Sequence, residues 1–176
     1  MLPDGVVLHE LQPHPDSRGV FTELFRCSWE LPVTPVQWNV VSTAQNVFRG
    51  VHAHWSHEDY LIVIAGHATV GVHDLREGSP TEGLGATVEM SGETPEAIVI
   101  PTGVAHGFFF HEPSLHVYAM TSEWSPAGDA GCRWDDPELD IEWPCADPVL
   151  SQRDRDLGSV SQLRAVVREA LATVGS

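Results

Sequence analysis

Short apolar-rich segments recur along most of the chain, and turn-forming residues separate these segments. Gly, Pro, Asp and Ser cluster between them, as in HPDSRG, REGSPTEG and SGETPE. Short segments that are rich in β-branched and aromatic residues favour β-strands. The pattern predicts strands in GVVLHEL, GVFTELF, VQWNVVST, DYLIVIAG, ATVGVHDL, ATVEM, EAIVIP, GFFFH and LHVYAMT. Many short strands joined by turns indicate an all-β sandwich or barrel.

The C-terminal segment SVSQLRAVVREALATV has a different period. Its apolar residues Leu163, Val166, Val167 and Leu171 recur at helical spacing. We therefore predict one short helix at about residues 159–173, on the outside of a jelly-roll sandwich. The chain of 176 residues contains no repeat or linker, so we expect a single domain.

The charge of the chain limits its partners. There are 25 acidic and 9 basic residues, a net charge of −16, and every basic residue is an arginine. Such a surface repels nucleic acids and anionic membranes, which excludes both as partners. An anionic small molecule could still bind where several arginines converge.

Three further features predict a cytoplasmic protein. No apolar run approaches the roughly 18 residues that span a bilayer. The N-terminal segment has neither a basic start nor a long apolar stretch, so we expect no signal peptide. The three cysteines are widely spaced and form no CxxC motif, which is typical of a reduced compartment.

Two segments combine the β-pattern with reactive side chains. The first reads GxHxHx4Dx6G from position 50, and the second reads PxGx2H from position 101. Because alternate residues of a strand face the same side, His52 and His54 can both point inward, and a later strand can bring His106 beside them. These spacings resemble the two cupin motifs, with Asp59 where glutamate is usual.

The flanking segments resemble one branch of the cupins, the dTDP-4-dehydrorhamnose 3,5-epimerases, or RmlC-type sugar-nucleotide epimerases. The matching segments are PDSRGVFTELF, VQWNVVSTAQNVFRGVH, DLREGSPTEG, IPTGVAHGF, VYAMTSEWSP, WDDPELDIEWP and LSQRD, in this order. The resemblance covers about Val6 to Asp156. It implies a cupin jelly-roll homodimer whose N-terminal strands cross to the partner. It also implies a dTDP-linked 4-keto-6-deoxy sugar as substrate, and no metal or other cofactor.

Inversion of a carbon next to a ketone proceeds through an enolate, with a base on one face of the carbon and an acid on the other. Histidine is the natural base near neutral pH, and a carboxylate partner fixes its tautomer. The resemblance makes His52 the base, Asp154 its partner and Tyr118 the acid on the opposite face.

The resemblance also implies a set of substrate-binding residues. Arg18, Phe21 and Glu23 match positions that reach the nucleotide across the dimer, where a guanidinium suits a diphosphate. The remaining matched positions line the pocket: Gln37, Asn39, Arg49, Asp59, His106 and Trp124.

The chain departs from the family beside the base. Asp59 aligns with a lysine that helps to stabilise the enolate in the family, and the chain has no lysine to replace it. His54 also lies where the family does not usually have histidine. The two changes favour an alternative, a metal-binding cupin enzyme that is an isomerase, lyase or oxygenase. In that reading His52, His54, Asp59 (or Glu58) and His106 are the ligands.

A second alternative is a catalytically inactive homologue that still binds a sugar nucleotide. The sequence favours the epimerase, because the metal site does not explain Asp154 and Tyr118. Five other histidines are interpreted as surface or strand residues: His57, His67, His73, His111 and His116.

Overall fold

The computed structural model describes residues 1–174 and contains two antiparallel five-stranded sheets and one hairpin. The strands are β1 (Val7–Glu10), β2 (Pro13–Asp16), β3 (Gly19–Thr22), β4 (Gln37–Thr43), β5 (Phe48–His54), β6 (Asp59–Ala65), β7 (His67–Asp74), β8 (Gly85–Ser91), β9 (Glu96–Ile100), β10 (Val104–Phe110), β11 (Ser114–Met120) and β12 (Asp129–Gly131). Two α-helices follow, α1 (Gln152–Arg155) and α2 (Val160–Val174). The predicted all-β sandwich with a C-terminal helix is confirmed.

Sequence neighbours are seldom sheet neighbours. The first sheet has the order β1-β9-β6-β11-β4, the second has the order β12-β5-β10-β7-β8, and β2 pairs with β3 alone. The chain therefore crosses repeatedly between the two sheets. As a result, residues distant in the sequence face each other across the space between the sheets.

Each of the nine predicted strands is present, but three others were not in that set. Strand β2 consists of the sequence PHPD, and its last three residues belong to the segment HPDSRG, which had been assigned to a turn. In β5, polar residues interrupt the apolar pattern at Arg49, His52 and His54. Strand β12 has only three residues and no apolar pattern.

The core lies between the sheets and under α2. Val63, Val70, Ile98 and Val104 are buried in the central cluster. Burying each such side chain contributes about 1.5–3 kcal/mol. Helix α2 packs against the outer face of the second sheet, where its Leu163 is buried beside residues such as Phe48.

Helix α2 agrees with the predicted helix, with one difference on its apolar face. Leu163 and Val167 are buried, whereas Val166 is 43% exposed. Residues 163 and 167 are one helical turn apart on the same face, and residue 166 is rotated toward solvent. Within residues 1–174, no helix combines the length and the apolar character needed to cross a membrane.

Helix α1 was not predicted, because four residues are too few to show a helical period. Ser151 caps it: its hydroxyl accepts a hydrogen bond from the backbone N–H of Asp154 at 3.0 Å. This cap holds Asp154 at the end of the first turn, where the side chain is buried.

Close contact between two backbones explains the glycine of the first motif. Gly50 has φ = 113°, and a Cβ there would lie 2.8 Å from both Gly107 Cα and the carbonyl oxygen of His106. Glycine therefore allows β5 to lie close against β10. The same pairing places His52 opposite His106.

Candidate active site

A cavity of about 520 Å³ lies between the two sheets. Its walls come from both sheets, from the loop after β11 and from α1. The lining residues are Gln37, Asn39, Val41, Arg49, His52, His54, Asp59, Leu61, His106, Phe108, His116, Tyr118, Met120, Trp124, Asp129 and Arg153. A concave site that combines an apolar wall with a few polar groups is typical of small-molecule binding.

His52 on β5 is paired with Asp154 on α1. Nε2 of His52 lies 2.8 Å from Oδ1 of Asp154, and the Ser151 hydroxyl donates to Oδ2 at 2.8 Å. Burial favours the neutral acid, but the hydrogen bonds from His52 and Ser151 outweigh it, so the pKa of Asp154 is lowered. The carboxylate then accepts a hydrogen bond from Nε2–H, which leaves Nδ1 of His52 with a free lone pair.

Tyr118 lies on the other sheet, in the middle of β11. It pairs with Asn39 of β4 on one side and with Leu61 of β6 on the other. Burial, and next the charge of Asp59, raise the pKa of Tyr118. The phenol therefore keeps its proton at neutral pH and can donate it into the cavity.

The remaining polar walls are connected by hydrogen bonds. Gln37 Nε2 donates to Asn39 Oδ1 at 3.2 Å, and the backbone N–H of Trp124 donates to Gln37 Oε1 at 2.9 Å. Arg153 donates to Asp129 Oδ2 at 2.8 Å. These contacts hold side chains from β4, α1, β12 and the loop after β11 in one wall.

Arg49 lines the same cavity as His52 and supplies positive charge there. Its Nε donates to the Thr43 hydroxyl at 3.0 Å, which fixes the side chain between β5 and β4. A guanidinium in this position can hold an anionic group in the cavity.

Asp59 lies at the bottom of the cavity among three histidines. Its carboxylate oxygens are 3.7 Å from His54 Nε2, 3.8 Å from His57 Nε2 and 3.6 Å from His106 Nε2. Burial, and next the charge of Asp129, raise the pKa of Asp59 well above its usual range. Burial lowers the pKa of His54 to about 2 and that of His106 to about 4, so both rings stay neutral.

The interpretation of His57 as a surface or strand residue is wrong. His57 lies between β5 and β6, and only 2% of it is exposed. Its position in the sequence between His54 and Asp59 was a signal that could have found it. His116 is a strand residue, as predicted, but it also lines the cavity.

Two charged residues of the cavity wall, Asp129 and Arg153, were not predicted from the sequence. Asp129 lies in a segment that had no motif. Arg153 lies next to Asp154 in the matched segment LSQRD, but no role had been assigned to it. For Arg153, its position directly before Asp154 was the signal that could have found it.

Three predicted substrate residues lie outside this cavity. Arg18 and Phe21 are exposed on the β2–β3 hairpin, where Arg18 pairs with Asp16. Glu23 follows the hairpin and pairs with Arg26. None of the three lines the cavity of its own chain.

The ligand set of the metal alternative is divided in the structure. The Nε2 atom of His52 is hydrogen-bonded to Asp154, whereas His54 and Asp59 belong to the cluster with His57. Within residues 1–174, a second cluster of potential ligands lies at the surface and contains His67, Glu89 and His111.

Comparisons with known proteins extend over the whole fold. The family model for dTDP-4-dehydrorhamnose 3,5-epimerase matches residues 2–162. Over 166 residues the chain is 37% identical to the dTDP-4-dehydrorhamnose 3,5-epimerase of Pseudomonas aeruginosa, with 88% of this chain and 90% of that protein covered.

Two solved structures have closely similar folds. One is RmlC from Legionella pneumophila in complex with dTDP-4-keto-L-rhamnose, with a TM-score of 0.87 and 28% identity, covering 96% of this chain and 94% of that one. The other is ChmJ, a 3'-monoepimerase from Streptomyces bikiniensis, in complex with dTDP-quinovose. It has a TM-score of 0.87 and 26% identity, covering 99% of this chain and 95% of that one. The similarity therefore covers nearly the whole chain in both sequence and fold.

Proposed function

The chain belongs to the dTDP-4-dehydrorhamnose 3,5-epimerase family of isomerases, as its motifs predicted, and we propose how it acts within that family. It inverts C3, C5 or both in a dTDP-linked 4-keto-6-deoxyhexose. The observation that carries the proposal is the His52–Asp154 pair on one side of the cavity and Tyr118 on the opposite sheet.

The proton transfers follow from this placement. Nδ1 of His52 removes the proton from the carbon next to the ketone, and the electron pair of the C–H bond becomes the enolate. Asp154 stabilises the imidazolium that forms. Tyr118 then donates its proton to the opposite face of the carbon, so that the ketone returns with inverted configuration. The next cycle begins after the imidazolium has released its proton and the phenolate has regained one.

Arginine side chains and the dimer supply the binding sites for the diphosphate and the nucleobase of the substrate. Arg49 lies in the cavity, and Arg153 lies at its wall. We propose that Arg18, Phe21 and Glu23 complete the cavity of a partner chain in a homodimer. This placement accounts for the exposure of Arg18 and Phe21 in the single chain.

The outer surface of β4 supports the same homodimer. Strand β4 is at the edge of the first sheet. Its residues alternate: Gln37 and Asn39 face the cavity, whereas Trp38 is 43% exposed and Val40 is 65% exposed. An unpaired edge that carries large apolar side chains is typical of an interface between chains.

The choice between one and two inverted carbons depends on the placement of the ring. The similar structures include both a 3,5-epimerase and a 3'-monoepimerase. We therefore propose inversion at C3, C5 or both, and the experiment below separates these outcomes.

Deuterium exchange tests the function directly. The protein is incubated in D2O with dTDP-4-keto-6-deoxyglucose, and NMR follows deuterium at C3 and C5. We expect exchange and inversion at one or both carbons, and loss of both in His52→Ala. His67→Ala is the matched control and should retain exchange, because His67 is at the start of β7 and does not line the cavity. Absence of exchange at both carbons at saturating substrate would overturn the proposal and favour an inactive binding protein.

A further inference from the structure

We propose that the floor of the cavity contains a binding site for a divalent transition-metal cation, formed by His54, His57 and Asp59, with His106 beside it. This set differs from the ligand set suggested by the sequence, because His52 remains paired with Asp154. The proton-transfer residues and the cation site therefore use different side chains in the same cavity.

The distances around the Asp59 carboxylate suit a cation better than hydrogen bonds. The three imidazole Nε2 atoms lie 3.6–3.8 Å from its oxygens, which is longer than a good N–H···O bond. Ligands at about 2.1 Å from a tetrahedral zinc lie about 3.4 Å from one another. The rings of His54 and His57 stack with their centroids 4.3 Å apart, and this stacking sets both Nε2 atoms beside the same carboxylate.

Buried polar atoms at this place lack a hydrogen-bond partner within residues 1–174. Among them are Nε2 of His57, whose side chain is 0% exposed, and Oδ1 of Asp129. Native structures seldom leave buried polar atoms unsatisfied. A cation bonded to Nε2 of His57 satisfies that atom, and its charge offsets two carboxylates that lie close together in a buried position.

The donor set indicates the class of metal. Imidazole nitrogens together with one carboxylate suit zinc, cobalt, iron or nickel, whereas calcium and magnesium prefer all-oxygen sites. Asp129 and its partner Arg153 lie next to the cluster, and we assign no metal bond to them.

The surface cluster of His67, Glu89 and His111 provides a comparison inside the same chain. Here the potential ligand atoms already have hydrogen-bond partners. His67 Nε2 is 2.7 Å from Glu89 Oε2, and His111 Nε2 is 2.7 Å from the Thr69 hydroxyl. Glu89 is also exposed to solvent. This cluster has no unsatisfied buried atom, so we expect it to bind a cation more weakly.

A cation at this place would add a positive charge to the cavity that contains His52 and Tyr118. Such a charge stabilises a developing oxyanion. This role rests on the proposed function, whereas the binding site itself does not.

Titration of metal-free protein with Co²⁺ tests the site. After dialysis against a chelator, we expect one tight equivalent per chain and the visible absorption of low-symmetry cobalt with nitrogen ligands. His57→Gln and Asp59→Asn should each weaken binding at least 10-fold. The double variant His67→Gln/His111→Gln is the matched control and should retain the tight equivalent. Thermal unfolding checks that each variant is folded. If His57→Gln does not fold, the nearly isosteric Asp59→Asn variant still tests the site.

Other results would overturn the site. These are absence of a tight equivalent in the unmodified protein, or loss of it only in the surface double variant. Deuterium exchange by the metal-free protein is measured in parallel. Exchange without tight cobalt binding rejects the cation site and leaves the proposed function standing. Tight cobalt binding without exchange, with or without the metal, rejects the function and leaves the site.

Discussion

Nε2 of His52 and Oδ1 of Asp154 lie 2.8 Å apart, although 102 positions separate the two residues in the sequence. Strand β5 places the imidazole in the cavity, and the Ser151 cap of α1 turns the carboxylate toward it. The hydrogen bond orients the ring and leaves one nitrogen free. This pair is therefore the first place to test the mechanism.

Replacement of Asp154 by asparagine should lower kcat about 100-fold or more and change KM little. The asparagine side chain retains the shape but removes the charge that stabilises the imidazolium during proton transfer. Steady-state kinetics on the sugar nucleotide measures the effect. Asp156→Asn, directly after the last residue of the same helix, is the matched control and should keep the original kcat. A normal kcat in Asp154→Asn would show that the pair is only structural.

Replacement of Tyr118 by phenylalanine should separate exchange from inversion. Because His52 still removes the proton and can return deuterium to the same face, we expect deuterium to enter without the inverted product. NMR in D2O measures both outcomes in one sample. Inversion at the original rate would exclude the phenol as the acid and would direct attention to another donor in the cavity.

Mixed dimers test whether the β2–β3 hairpin serves the partner. Arg18→Ala and His52→Ala chains are expressed together with different tags. If Arg18 completes the cavity of the other chain, each mixed dimer contains one intact site. Random pairing then gives about one quarter of the original activity, although each homodimer is weak.

In the control for this experiment, His52→Ala chains are expressed together with Asp154→Asn chains. Both changes damage the same pair, so no mixed dimer has an intact site and no activity should return. Lack of recovery in the Arg18 mixture as well would mean that the hairpin does not act across a dimer.

His116 should make the stability depend on pH. Burial, and next the charge of Arg49, lower the pKa of His116 to about 4, whereas the unfolded chain has a value near 6.5. As the pH falls from 7.5 to 5.5, the unfolded state gains a proton that the folded state does not, so the fold loses about 1 kcal/mol from this residue. His116→Phe should reduce the pH dependence of unfolding by this amount.

Chemical denaturation at the two pH values measures the difference. His14→Phe, on the exposed hairpin, is the matched control and should leave the pH dependence unchanged. An equal loss of stability in His116→Phe and the unmodified chain would show that His116 binds its proton as readily in the folded state as in the unfolded chain.

Much of the fold was predictable because it depends on local patterns. The strands that were predicted have alternating or continuous apolar residues between turns, and α2 has a helical period. Strand β12 and helix α1 were not predictable, since three or four residues show no period. Strand β5 was harder, because Arg49, His52 and His54 occupy positions where a core strand usually has apolar residues.

The sequence alone determined the two-sheet class, the C-terminal helix and, through its motifs, the family, because these follow from local periodicity and from residues at fixed spacing. Only the tertiary structure decided which side chains share the cavity. His57, Asp129 and Arg153 lie in short elements and connections whose position depends on how the sheets pack, and Arg18 lies outside the cavity of its own chain. Burial and contacts between distant residues arise when the sheets pack together, and no local pattern encodes them.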